Sequence, residues 1–342
     1  MKALVTGGLG FIGSHLVERL FSDGHSVFIL DLPNAPFRNI KHLLKDHDNH
    51  FIYSGDIRST TVSWLFNILA YENIDWVFHL AGLADVVPSV NNPIDYFHTN
   101  VMGTIKVLEA ARLAKVKKLV YASSSSVYGI CDSVDIPTAE WAPIKTEYPY
   151  AESKYQGERW VSLYNKVYGL PAISLRLFNV YGPRARTTGA YGAVFGIFLA
   201  QKINGKPFTV VGDGRQSRDF VFVTDVCDAF IKAAESGISG KIFNVGTGEP
   251  QTILRLTELL SGGIVHLPKR PGEPDITCAY TININRELGW EPRVSFEDGV
   301  REMLINIDYW KDAPVWTPET IGEATKDWFN LLGKPKGGLD IG

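Results

Sequence analysis

Short apolar runs alternate with longer stretches of helical spacing through the first half of the chain. Lys2–Thr6, Ser26–Leu30, Asp75–Leu80 and Lys118–Ala122 are apolar at successive positions, and each is followed by turn residues and an amphipathic stretch. Phe51–Tyr53 and Ala172–Leu177 read as two further strands. Runs that do not alternate suit strands covered on both faces, so the pattern predicts an α/β protein with a doubly wound parallel sheet. Pro93–Ala114 and Tyr150–Tyr168 read as long helices.

After about Asn179 the elements become short and mixed, and Gly, Pro and Arg become frequent, as in Tyr181-Gly182-Pro183-Arg184 and Gly212-Asp213-Gly214-Arg215. The division this predicts has a main domain over 1–179 and a smaller mixed α/β lobe over 180–310. Segments of about 219–245 return to the main domain, and a tail over 311–342 follows Trp310 and carries Trp316 and Trp328. In that tail Thr317 reads as the N-cap of a helix, with Pro318 at its first position.

Composition removes several classes. A chain of 342 residues exceeds what one core comfortably supports, which suits a main domain with a second unit attached. The net charge of −3 leaves no basic surplus for nucleic acid. Cys131, Cys227 and Cys278 are odd in number and form no CxxC pair, so neither a disulfide framework nor a metal site is expected. A reducing, cytoplasmic setting suits them. The glycines from Gly7 onward interrupt the apolar start too early for a signal peptide, and no apolar run is long enough to span a membrane.

Gly7-Gly8-Leu9-Gly10-Phe11-Ile12-Gly13 follows the first strand and opens the first helix. Glycines there let the backbone turn tightly and approach a pyrophosphate, which the free N–H groups of the helix start can bind. This is the phosphate cradle of a Rossmann dinucleotide site. Asp31 ends the second strand, where a carboxylate can accept hydrogen bonds from both ribose hydroxyls and would repel the extra phosphate of NADP. The expected cofactor is therefore NAD. Asp56-Ile57 is assigned to the adenine side, and Leu80-Ala81-Gly82 to close backbone approach at the end of the next strand.

Tyr150 and Lys154 lie four residues apart, on one face of a helix. A phenol is a poor base at neutral pH, but a neighbouring ammonium and a positive nicotinamide ring favour phenolate. On this reading Tyr150 takes a proton from a sugar hydroxyl, Lys154 holds the nicotinamide ribose, and Ser124, in the run Ser123–Ser126, hydrogen-bonds the reacting oxygen.

These motifs, in this order, resemble the extended short-chain dehydrogenase/reductases, and among them the nucleotide-sugar epimerases. The resemblance runs from Met1 to about Trp310. It rests on Thr6–His15, Asp31, His79-Leu80-Ala81-Gly82, Asn100–Thr104, the serine run with Val127-Tyr128-Gly129, Tyr150/Lys154 and Arg176-Leu177-Phe178-Asn179. It implies Ser124, Tyr150 and Lys154 as the catalytic group and Asn100 as a structural asparagine near the cofactor. It also implies Asn179, Arg218 and Arg270 on the substrate diphosphate, and a homodimer paired through the two long helices. Ser125 and Ser126 stand where sugar-nucleotide dehydratases carry acidic residues, which disfavours dehydration and leaves Ser125 to the substrate. Ala84 replaces a cationic residue that some galactose epimerases carry beside NAD.

Thr277 stands where some relatives narrow the pocket with a tyrosine. Tyr121-Ala122, the serines and Thr277-Cys278-Ala279 are similar to glucuronate epimerases. Phe178–Arg184 with Gly189-Ala190-Tyr191 is similar to glucose and N-acetylhexosamine epimerases. The expected activity is NAD-dependent 4-epimerisation of a UDP-sugar or another nucleotide sugar. The rivals are another nucleotide-sugar oxidoreductase (2-epimerase, 3,5-epimerase, 4-ketoreductase or dehydratase) and a non-catalytic NAD sensor.

Overall fold

The computed structural model describes residues 1–43, 50–131, 135–185 and 194–333. It opens with β1 (Lys2–Thr6), α1 (Phe11–Ser22), β2 (Ser26–Asp31), β3 (His50–Ser54), α2 (Val62–Tyr71) and β4 (Trp76–His79). Then come α3 (Val86–Asn91), α4 (Pro93–Tyr96), α5 (Thr104–Ala114), β5 (Lys118–Ser124), α6 (Pro149–Tyr168) and β6 (Ala172–Leu177). The strand Lys241–Val245 joins these six in one seven-stranded sheet, in the order β3-β2-β1-β4-β5-β6-(Lys241–Val245), with every pair parallel. This is the doubly wound sheet the pattern predicts. The strand order reverses between β1 and β4, and a crevice forms beyond the carboxyl ends of strands at such a point.

The unbroken apolar runs are explained by the two layers of core. Ala3 and Val5 of β1 pack with Leu16 of α1 and Phe230 of the helix Val223–Glu235. Leu4 packs on the opposite face with Leu65 of α2 and Leu108 of α5. Both sets are buried, so both faces of β1 are apolar from Ala3 to Val5, up to Thr6 at its carboxyl end.

Pro93–Ala114 is not one α-helix. It runs as α4, then a π-helical stretch over Phe97–Gly103, then α5. The extra residue per turn leaves Asn100 facing the site, and its contacts there hold the wider turn open.

The smaller lobe is built on paired short strands, Asn179–Tyr181 with Phe220–Phe222 and Phe208–Val211 with Ile264–Leu267, both parallel. Its core is aromatic: Tyr181 stacks on Phe195 at 4.5 Å, and Phe220 on Phe296 at 5.4 Å. Thr317 caps the helix Pro318–Ala324 in a reciprocal pair with Thr320, and the helix Lys326–Leu332 follows. Among the described residues no helix is long and apolar enough to cross a membrane. Gly189-Ala190-Tyr191 and the end of the tail lie outside the described residues.

Candidate active site

Beyond β1 the chain turns on glycine. Gly7 has φ +73° and donates to Leu30 O at 2.8 Å, and a Cβ on it would lie 2.9 Å from Ala81 N. At Gly13 a Cβ would lie 2.1 Å from Gly7 O, a backbone clash that no side-chain motion relieves. Gly10 closes the turn with its N–H on Gly7 O at 3.1 Å, and α1 begins at Phe11 and Ile12. Asp31, at the end of β2, accepts from Leu9 N and Leu32 N, both at 2.8 Å, so its carboxylate sits against the glycine turn. A turn that only glycine can make, with an acceptor carboxylate beside it, fits a dinucleotide carrying free ribose hydroxyls. Asp56 is gripped by Arg58 at 2.7 and 2.9 Å, and this bonding holds its carboxyl below the usual range. Ile57 is buried against Gly103.

A line of hydrogen bonds ties this turn to the helices. Thr104 Oγ1 donates to Asn100 O at 2.6 Å, so it must accept from His79 Nε2, 3.0 Å away. His79 Nδ1 is then the acceptor for Thr6 Oγ1 at 2.7 Å, and Thr6 Oγ1 accepts from Ala81 N at 3.2 Å. Burial, with the nearby Lys154 charge, pulls His79 down to about 3, so it stays neutral in one tautomer. Leu80 N bonds Thr6 O at 3.1 Å. Asn100 clamps the next residues: its side chain accepts from Leu83 N at 2.8 Å and donates to Leu83 O and Ser153 Oγ, each at 2.9 Å. A Cβ on Gly82 would meet Asn100 Oδ1 at 2.9 Å.

Ser124 ends β5, and its hydroxyl caps the turn Ser125–Tyr128, in which Ser125 is half-buried. Tyr150 is on the first turn of α6 and Lys154 one turn on. The expectation that the lysine lowers the phenol is corrected here. Burial raises Tyr150 above its ordinary value; the Ser124 hydroxyl opposes this, the Asp85 charge adds to it, and Ser126 opposes it. The Lys154 ammonium sits 4.7 Å over the Tyr121 ring, and burial lowers it to about 8 although Glu158 pulls the other way.

Sequence reasoning missed the support behind this group. Glu158, one turn after Lys154, is buried and takes Arg176 in a bidentate pair at 2.6 and 2.9 Å and Ser123 Oγ at 2.8 Å. Arg176 continues to Tyr128 OH at 2.8 Å, and Tyr128 to Asn244 Oδ1 at 2.7 Å. The signal available was the spacing: Glu158 repeats the Tyr150–Lys154 interval on α6.

Of the residues expected on the substrate, Ser124 ends β5 with Ser125 next to it, and Asn179, Arg218, Arg270 and Thr277 lie on the lobe side. Thr277 Oγ1 donates to Asn179 Oδ1 at 3.2 Å and accepts from Asp219 N at 3.1 Å. Arg270, nearly buried, bonds Glu273 Oε1 at 2.8 Å, and Arg218 Nη2 lies 3.8 Å from Glu273 Oε2. Two guanidiniums thus converge on one carboxylate, an arrangement that can also receive a diphosphate. Tyr148, also missed, connects the halves. It stacks on Tyr150 at 6.5 Å and 6°, and the charges of Glu273 and Arg218 both act on it. Burial pushes the Cys278 thiol up to about 11, so it is no nucleophile.

The sequence pattern of the NAD dependent epimerase/dehydratase family matches residues 3–246. The chain belongs to this family. Within it, a UDP-glucose 4-epimerase of Mycolicibacterium smegmatis is 36% identical over 316 residues, covering 89% of this chain and 97% of that protein. The structure of a UDP-N-acetylglucosamine 4-epimerase from Methanobrevibacter ruminantium, in complex with UDP-N-acetylmuramic acid, superposes with a TM-score of 0.83 at 34% identity, covering 91% of this chain and 98% of that one. A UDP-glucuronic acid 4-epimerase from Bacillus cereus, in complex with UDP-glucuronic acid and NAD, gives 0.81 at 32%, covering 91% and 99%.

Proposed function

We propose that this NAD-dependent enzyme epimerises a nucleotide sugar at C4, its substrate a UDP-hexose, UDP-N-acetylhexosamine or UDP-glucuronate. The observation that supports the reading is Tyr150, bonded by the Ser124 hydroxyl and one turn from Lys154, in a chain that also has a cradle only glycine can make and two arginines that meet at Glu273.

Gly7, Gly10, Gly13, Phe11 and Ile12 hold the pyrophosphate of the cofactor, Asp31 its adenosine ribose, Asp56 and Ile57 its adenine side, and Leu80, Ala81 and Gly82 approach it by backbone. NAD, when bound, supplies the hydride acceptor and donor together with a positive ring charge. Tyr150 receives the proton of the C4 hydroxyl, Ser124 orients that oxygen, and Lys154 holds the nicotinamide ribose. Asn100 steadies the loop through Leu83. Arg218, Arg270 and Asn179 anchor the diphosphate, while Ser125 and Thr277 face the sugar. Firm anchoring at the diphosphate and loose contact at the hexose let the 4-keto sugar turn and be reduced on its other face. Ser125 and Ser126 provide no carboxyl acid, which disfavours dehydration.

Exposed apolar residues on the helices around the site, Ile94 at 70% and Val167 at 58%, with Phe97, Trp160 and Leu163, support a homodimer paired through them. The reducing cytoplasm suits the three thiols. The test is a panel of UDP-, GDP-, CDP- and dTDP-sugars with products resolved by proton NMR. Tyr150→Phe is expected to cut turnover by about 100-fold or more with UDP affinity unchanged. Near-wild-type turnover in that variant refutes the assignment.

A further inference from the structure

The C-terminal helix Lys326–Leu332 has seven residues, too few to be stable alone, and Trp328 is the residue it buries. Phe329 and Leu331 on the same helix stay exposed. The fastening of the helix therefore rests largely on one indole. That indole touches the lobe and the main domain at once. Its Nε1 donates to Pro271 O at 2.7 Å, directly after Arg270 in the guanidinium pair on the lobe. Its ring lies 6.1 Å from the ring of Tyr148, which stacks on Tyr150 in the main domain. The helix also packs along α3, which begins just after Asp85, whose charge acts on Tyr150.

We infer that this helix is a strap across the sugar end of the crevice, and that Trp328 is a positioning residue that keeps the oxidised sugar inside while it turns. The inference rests on the 4-epimerase reading. Once C4 has given up its hydride to the cofactor and its hydroxyl proton has passed to Tyr150, the sugar is held firmly only through its diphosphate. On that reading the ketone leaves when the segment at Arg270 parts from the segment at Tyr148, the two that Trp328 joins. A ketone that escapes leaves the protein with reduced cofactor and no partner to oxidise it, so each escape is recorded permanently.

The experiment compares wild type, Trp328→Ala, Trp328→Phe and Phe329→Ala during turnover of the sugar found in the panel. It follows the reduced-nicotinamide signal that remains on the protein and the nucleotide-linked 4-keto sugar trapped in solution. Trp328→Ala is expected to raise the ratio of escape to epimer formation by about tenfold or more. Trp328→Phe, which keeps a ring but loses the bond to Pro271, is expected to lie between, and Phe329→Ala to match wild type. Hydrogen exchange on the wild type is a second, variant-free measure: UDP-sugar should slow exchange over 326–332. A folded Trp328→Ala that leaks no more than wild type overturns the strap, as does unchanged exchange in the wild type. Absence of any epimer from wild type would instead overturn the 4-epimerase reading.

Discussion

Lys154 is nearly buried, and its ammonium has an aromatic face and the charge of Glu158 for company. Burial lowers it from 10.5 to about 8. At about 1.4 kcal/mol per pH unit, holding that charge in the fold costs about 3 kcal/mol at neutral pH. Lys154→Met removes this cost together with a cation–π contact worth about 1 kcal/mol. The cofactor-free variant should therefore be more stable than wild type by about 2 kcal/mol at pH 7, while catalysis is lost.

The sign follows from proton counts. Between pH 8 and 10.5 the unfolded wild-type chain holds more protons than the folded one, so wild-type stability rises through that window. The variant lacks this rise, and its advantage should shrink as pH climbs. Urea titrations of both proteins, stripped of cofactor, at pH 7, 9 and 10.5 measure it. Cofactor must be absent because it stabilises whichever protein binds it better. A variant less stable than wild type at pH 7, or a difference flat across the window, refutes the account of Lys154 as a strained, desolvated charge.

Gly13→Ala puts a methyl 2.1 Å from Gly7 O, so the turn must open; we expect loss of co-purifying NAD and destabilisation of about 1–3 kcal/mol, read by released nicotinamide and by thermal melting. Arg176→Leu strands Glu158 as a buried charge and should cost about 3–5 kcal/mol, and the double change with Glu158→Leu should recover much of it in chemical denaturation. Thr277→Tyr fills the space beside Asn179 and breaks its bond to that residue, so turnover of UDP-GlcNAc relative to UDP-glucose should fall by about tenfold. An unchanged ratio would remove Thr277 from the sugar pocket.

The sheet was legible because its signal is local. Strands buried on both faces write continuous apolar runs, and the run Ala172–Leu177 coincides with β6. The glycine cradle was legible for the same reason, since a backbone that admits no Cβ leaves a mark at each position. What escaped is carried by long-range pairs. Nothing near Tyr148 in sequence points to Trp328 or Glu273, and only the fold brings them together. The π turn at Phe97–Gly103 was hidden because its residues keep helical periodicity to within one position. The ionisation of Tyr150 was misjudged for another reason: spacing reports that Lys154 shares its helix face, but not that burial acts on both groups.

The wide turn also fixes how this protein can vary. Thr104 beyond it must meet His79, while Asn100 within it must meet Leu83 and Ser153. Deleting one residue within it would restore regular winding, because a π turn takes up one extra residue and leaves the helix beyond it facing almost as before. The change would cost the contacts that Asn100 makes from inside the turn and spare the meeting of Thr104 with His79 beyond it. The segment can therefore shorten by one residue only by giving up the clamp on Leu83 and Ser153, which ties its length to the site it serves.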